Sequence, residues 1–389
     1  MIRVFETMMA ALPTLIEATR RGIRVDPVYA EKWRGELRMK LQALHAQWPY
    51  PDVDPGSSRQ VANLLYTRLN LPPSFTDKGG YSADANAIRA AMAAAPPEHM
   101  DVLRLLLDMR ESQTSLSTFA GLTVSRVHPQ FLPQDKDEDE EKAGDKGQGA
   151  GTGRIQPRRP NTAQQPDDAR FLFIPDEGMV LAYLDWHSAE GRVECALSHD
   201  SALLLAIEGD LHSVLEREMG IDRTRAKNVY YGTGRGAGPR KLVKTLRGKG
   251  FYTTEAEMVL AQAKLNTAFP QWAHWRAAEH MAARSTRVIT NPFGRRWHIH
   301  HPSVARKAVA RIVQSAVADM LWRVLAQWPK PAQLLTPVHD AVLAQLPHPD
   351  VALELKAVME QVFDEIAPGF RVPVKVAVGA PGASWGDLK

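Results

Sequence analysis

Apolar residues recur at three- and four-residue spacing from Leu12 to about Trp48, and again from Ala87 to about Ser117, where Leu103, Leu106 and Leu107 stand with Met109 nearby. That period gathers apolar side chains on one face of a helix, so both stretches are predicted helical. The pattern vanishes over 133–153, which is charged and then Gly-rich (GDKGQGAGTG), and predicts a flexible connection and a domain boundary. Beyond it, Gly178 to Asp185 reads as a short buried strand ending on a carboxylate. A helical pattern follows through a basic region. A long helix is predicted from about Ser303, its N-cap after Pro302, to Trp328, where Pro329 stops it. Leu334 to Leu346 holds two apolar runs flanking His339 and Asp340, the pattern of a hairpin with a polar tip. A helix over Asp350 to Ile366 and a strand over Val372 to Val378 complete the chain. Strands and helices mixed without regular alternation, and without an internal repeat, predict an α+β core with helical subdomains attached.

The length of 389 residues exceeds one ordinary compact domain and predicts two domains, or one core with subdomains around a cleft. At 44% hydrophobic and 24% charged the composition is globular, and no apolar run approaches the ~18 residues that cross a bilayer. Glu6, Pro13 and Glu17 interrupt the N-terminal apolar residues, against a signal peptide. The single cysteine, Cys195, excludes an internal disulfide and a cysteine-rich zinc site, in keeping with a reducing, cytoplasmic setting. Net charge is only +4, but its distribution is informative. Ten Lys/Arg stand against three Asp/Glu from Leu211 to Gly250, whereas Asp135 to Lys146 holds seven acids against three lysines. The first stretch suits phosphates and the second a solvated loop.

Two carboxylates, Asp185 and Asp340, end apolar strand-like runs some 150 residues apart. Strand-end aspartates are common turn residues, but side by side at a sheet edge they supply the hard oxygen ligands that a pair of Mg²⁺ ions requires for phosphoryl transfer. In Arg223-Thr-Arg-Ala-Lys227-Asn-Val-Tyr-Tyr231-Gly the four-residue spacing lines up two cations and a ring on one helix face. Such a stripe either faces solvent or binds a nucleoside triphosphate, with cations on the phosphates and the ring against sugar or base.

At these residues the sequence resembles the family A DNA polymerases. Leu184-Asp185-Trp-His-Ser-Ala-Glu190-Gly-Arg192-Val is similar to the first polymerase motif, DYSxxELR; the R-x3-K-x3-(F/Y)-G pattern from Arg223 resembles the second; Val338-His339-Asp340 resembles the third, VHDE. Gly151-Thr-Gly-Arg154 with Pro160-Asn161-Thr-Ala-Gln164, Gly22 to Asp26, Gly80 to Asp84, Asp210-Leu-His212, Asn291 to Arg296 and Val378-Gly379 to Trp385 extend the similarity across nearly the whole chain.

The resemblance implies a right-hand polymerase fold with an antiparallel-sheet palm and helical fingers and thumb. It divides the chain into a thumb-like subdomain (1–130), an acidic, Gly-rich insertion (131–150), a palm in two parts (151–205 and 291–389) and fingers (206–290). The activity implied is template-directed addition of deoxynucleotides to a primer 3′ end, in DNA replication or repair. Asp185 and Asp340, with the Trp186 carbonyl, would bind two Mg²⁺. Arg223, Lys227 and His212 would hold the triphosphate, and Lys227 would protonate the leaving pyrophosphate. Glu190 would close the space beside the sugar 2′ position. Tyr231 implies weak rejection of dideoxynucleotides. Arg154, Arg306, Gln314 and His339 would contact primer or template, the middle pair from one helix face, and Arg235 would stand near the template base.

The departures are specific. Ala341 replaces the acid that closes the third motif, Arg235 a fingers tyrosine and Ala310 an asparagine, and the stretch from His212 to Arg223 is short. The thumb-like segment begins almost at Met1, which predicts no proofreading exonuclease in the chain and a separate protein for that task, or tolerance of errors. The expected partners are a DNA primer-template and dNTPs, with replisome proteins and no membrane, around a monomer in a bacterial or phage-infected cell. The rival readings are a single-subunit RNA polymerase, disfavoured by Glu190, and a DNA-binding accessory protein with a decayed polymerase fold, suggested by Ala341 and Arg235.

Overall fold

In a computed structural model of the protein, residues 2–76, 79–132, 152–300 and 302–388 are described. The acidic and Gly-rich insertion lies outside them except for Phe131 and Leu132, which belong to a short strand (Gln130–Leu132) paired with Gln156–Arg158. The side chain of Ser303, the expected N-cap, also lies outside. The chain forms two compact units, one of residues 1–30, 122–210 and 269–389, the other of 31–121 and 211–268. The N-terminal region expected as one subdomain over 1–130 is thus divided between them. The second unit's later segment begins five residues after, and ends 22 residues before, the expected fingers limits of 206 and 290.

Helix α1 (Ile2–Arg21) opens the first unit, ten residues ahead of its predicted start, and runs through Pro13. Val4, Ala11, Leu15 and Ala18 are its buried positions, and their spacing is that of one helical face. Gly22 ends it at φ +68; a Cβ there would lie 2.4 Å from the Val127 carbonyl oxygen, so glycine is required. The strand Ile23–Val25 then interrupts what the periodicity presents as one helical stretch, and pairs with Arg126–Val127 and Phe173–Ile174. Three residues are too few to impose a period of two on the pattern.

The centre of this unit is a four-stranded antiparallel sheet. Its strands are β1 (Val180–Trp186), β2 (Gln333–Val338), β3 (Ala341–Leu346) and β4 (Val374–Val378), in spatial order β4-β1-β3-β2. Alternate residues of a strand point to opposite faces. Val180, Ala182, Leu184 and Trp186 therefore share one face with Val342, Ala344, Leu346 and Val374, and all are buried in the main core. That core also takes Ala11, Leu15 and Ala18 of α1, helix α2 (Ala189–Ser198) through Ala189 and Val193, and two later helices, Ala308–Ala326 and Val351–Gln361. Trp186 is locked further by a bond from its indole N–H to the Met359 carbonyl, 3.0 Å.

The long helix predicted over Ser303 to Trp328 is broken. A short turn of helix, Pro302–Ala305, is separated from Ala308–Ala326 by Arg306 and Lys307, where the Lys307 N–H bonds Val304 O three residues back. Between Ala308 and Leu325 every residue is buried except Ala310 and Gln314, four apart, so the helix is enclosed all round but for one opening. The last helix ends at Gln361, short of the predicted Ile366, and the last strand starts at Val374.

In the second unit, Val61, Leu64, Leu65, Ile88, Leu103 and Leu106 form a compact core from the helices of its first segment. The second segment supplies α3 (Leu211–Met219), α4 (Arg223–Gly234), α5 (Pro239–Arg247) and Glu255–Ala268. Asp222 caps α4, accepting from the N–H groups of Thr224 (3.1 Å) and Arg225 (3.0 Å). Ala226, Val229, Tyr230 and Thr233 are its buried face.

Asp319 anchors the first unit's polar interior. It accepts from Arg295 (2.5 Å) and Asn291 (2.7 Å), and the Arg295–Asp319 side chains are only 9% and 2% exposed. Asp319→Ala would strand a buried guanidinium, and is expected to cost about 3–5 kcal/mol in denaturant unfolding. The double variant Arg295→Met/Asp319→Leu, which strands no charge, is expected to recover most of that loss.

Candidate active site

The hairpin β2–β3 turns through two residues, His339 and Asp340, between the paired Val338 and Ala341. His339 carries φ +56, a left-handed conformation that glycine adopts at lower cost, and its side chain is exposed. Asp340 follows, half-buried, and its carbonyl accepts the Trp186 N–H at 3.4 Å. Asp185 stands one residue earlier on β1, on the face opposite the core, directly across from Ala341. The two carboxylates that sequence reading paired across 155 positions are therefore neighbours at the turn end of one sheet.

Their electrostatics follow from that placement. Burial, and then the charge of Asp340, push the Asp185 carboxyl up to about 6, while Lys375 pulls against the shift. Asp340 is also raised, by burial and by Glu190, against its own backbone hydrogen bond, Arg154 and His339. Two carboxylates that resist ionising side by side form a site short of positive charge. Among the described residues no group of three or more His, Cys, Asp or Glu gathers as a metal cage. The oxygen donors brought together at this end of the sheet are the two carboxylates, Asp185 and Asp340. That suits a hard divalent ion that keeps waters and takes its remaining ligands from a phosphate substrate.

Glu190 lies in the first turn of α2 and accepts from Arg154 Nη2 at 2.5 Å, with 17% and 28% of the two side chains exposed. Arg154 is positioned from behind. Its neighbour Gly153, at φ +79, gives its carbonyl to the Trp322 indole (2.9 Å), and a Cβ there would meet the Arg295 guanidinium carbon at 2.8 Å. Arg295 is in turn held by Asp319, so the buried ion pair supports the segment that carries Arg154. Sequence reading noted Arg295 only as part of a GRR resemblance. Its support role needs the fold, since Asp319 is one acid within a helix of apolar pattern.

Arg306 is exposed in the interruption between the two helices, and Gln314 sits in the opening of Ala308–Ala326. The expectation of one continuous helix face carrying both is corrected accordingly: the turn at 306–307 resets the helical phase. Lys375, which sequence reading passed over, pairs with Asp185 across β4 and β1.

The second unit holds the other predicted residues. On α4, Arg223 and Lys227 are exposed and Tyr231 half-buried, opposite the buried Ala226–Tyr230 face. Arg223 Nη1 bonds Ser213 Oγ on α3 at 2.7 Å, the His212 ring lies 6.5 Å from Tyr231, and the Arg235 guanidinium stands 5.8 Å over the Tyr231 ring. One surface of α3 and α4 thus gathers His212, Arg223, Tyr231 and Arg235, with Lys227 between two of them by helical spacing. Such a surface suits a polyphosphate with an aromatic end.

The structure compares with the POL domain of Pol1 from M. smegmatis, solved in complex with DNA primer-template and dNTP, at a TM-score of 0.80 and 22% identity, over 97% of this chain and 70% of that one. The fold is that of a right-hand polymerase. The sequence profile of DNA polymerase family A matches residues 29–387. The chain belongs to DNA polymerase family A. Among its relatives, thermostable DNA polymerase I of Thermus filiformis is 27% identical over 95% of this chain and 46% of its own length, and DNA polymerase I of Treponema pallidum 27% over 100% and 40%. DNA polymerase DpoZ of Salmonella phage PMBT28 is 22% identical over 98% of this chain and 69% of its own. The chain spans less than half the length of the two bacterial relatives. Among the described residues no helix is long and apolar enough to cross a membrane.

A pH dependence follows. Asp185 titrates near 6 in the folded chain against an ordinary value of 3.8, so its ionised form is less favourable folded than unfolded. The stability it contributes is fully present below about pH 4 and lost as pH rises through about 6. In chelator, Asp185→Asn is expected to melt near wild type at pH 4 and above it at pH 7.5, as measured by circular dichroism.

Proposed function

We propose that this chain extends a DNA primer on a template by adding deoxynucleotides from dNTPs, with the primer 3′-oxygen attacking the α-phosphate in line. The observation that carries the reading is the pair of half-buried carboxylates, Asp185 and Asp340, side by side at the turn end of a four-stranded sheet. Asp185, Asp340 and the Trp186 carbonyl would hold two Mg²⁺, which supply Lewis-acid stabilisation of the attacking and leaving oxygens. Everything else in the reaction is positioning and charge. Arg223, Lys227 and His212 bind the triphosphate, Tyr231 lies against the sugar or base, and Lys227 carries the proton to the departing pyrophosphate. Glu190 fills the space beside the sugar 2′ carbon and so disfavours ribonucleotides. Arg154, Arg235, Arg306, Gln314 and His339 contact primer and template, largely through phosphates, so binding weakens as salt rises. The bacterial and phage relatives fit work in a bacterial cytoplasm or an infected host.

The test is extension of a labelled primer with Mg²⁺, comparing dNTPs with rNTPs. Asp185→Ala and Asp340→Ala are expected to lose at least about 10²–10³-fold in rate while primer-template affinity changes little. Lys227→Ala is expected to lose a comparable factor, and Glu190→Ala to narrow the gap between dNTPs and rNTPs. Wild type that binds primer-template tightly and extends nothing would leave the chain as a DNA-binding accessory protein.

A further inference from the structure

The turn end of the sheet carries three residues in one register row, Lys375 on β4, Asp185 on β1 and Ala341 on β3. Residues directly opposite on adjacent antiparallel strands share a face with Cβ atoms ~5 Å apart. Lys375 is exposed, and its four-carbon stem lets the ammonium reach the Asp185 carboxylate from solvent. Ala341, on the other flank, is buried and brings neither charge nor hydrogen bond. The row thus places an exposed cation beside Asp185, with Asp340 in the adjoining hairpin turn.

Resting on the reading of Asp185 and Asp340 as metal ligands, we propose that Lys375 is a resident counter-cation of the carboxylate site, which lowers its affinity for a bare divalent ion and favours arrival of the ion as an anionic metal–triphosphate complex. A divalent ion at the carboxylates and an ammonium carried on the neighbouring strand position repel each other. At the high effective dielectric of an exposed lysine this repulsion amounts to about three- to tenfold in affinity. A metal–triphosphate complex carries net negative charge, so the same ammonium attracts it. Lys375 is therefore a specificity-setting residue, acting on the form in which metal enters.

The test is Mn²⁺ binding to the full chain without DNA or nucleotide, followed by electron paramagnetic resonance of the free ion. Lys375→Met is expected to bind Mn²⁺ about three- to tenfold more tightly than wild type, Lys375→Glu more tightly still, and both gains should shrink in 1 M salt. Lys330→Met, at an exposed lysine preceding β2, should match wild type. Equal affinity for wild type and Lys375→Met, or an equal gain in Lys330→Met, would overturn the proposal. Asp185→Asn is expected to lose most Mn²⁺ binding in every background; unchanged binding there would overturn the metal-ligand reading itself, which separates the two failures.

Discussion

The register of β1 against its two neighbours is the constraint from which the rest of the first unit follows. Its apolar residues fall on one phase, Val180, Ala182, Leu184 and Trp186, and are buried against helices. Because the side-chain period of a strand is two, a slip of one residue would send Asp185 into that core and bring Trp186 out to solvent. Four buried side chains therefore hold the carboxylate in place, with Trp186 fixed again through Met359. The same register sets Ala341 and Lys375 beside Asp185, so what each neighbour does to its charge is a consequence of core packing on the other face.

A site built this way stores unfavourable electrostatics. Asp185 and Asp340 are half-buried and both resist ionising, Asp185 through burial and the charge of Asp340, Asp340 through burial and the charge of Glu190. The surrounding structure tolerates this because the apolar face and the Arg295–Asp319–Asn291 network stabilise the frame independently. That network also reaches the site, since the Arg295 guanidinium fills the space beneath Gly153 and so fixes where Arg154 begins. Arg154 then satisfies Glu190 at 2.5 Å. The buried ion pair thus supports charge placement at the surface through backbone packing, without touching the carboxylates.

In the second unit the organising feature is helical spacing. Residues four apart keep Arg223, Lys227 and Tyr231 off the buried face of α4, and Asp222 caps the helix just ahead of the first of them. Tertiary packing adds what spacing leaves open: α3 contributes His212 and Ser213, and the turn after α4 returns Arg235 over the Tyr231 ring.

Much of this is legible in the linear chain. The strand ending on Asp185, the hairpin with His339 and Asp340 at its tip, and the basic stripe of α4 all follow from local periodicity, because a strand or helix writes its own buried face into neighbouring residues. Family membership is legible too, in the order of three short motifs. The three-residue strand after Gly22, the interruption at Arg306 and Lys307, the enclosure of Ala308–Ala326, the Arg295–Asp319 pair and the register that sets Lys375 against Asp185 are decided only in three dimensions. The strand after Gly22, the Arg295–Asp319 pair and the Lys375–Asp185 register depend on partners 24 to 190 positions away, and no local pattern encodes which of two equally polar strand positions will face a carboxylate on another strand.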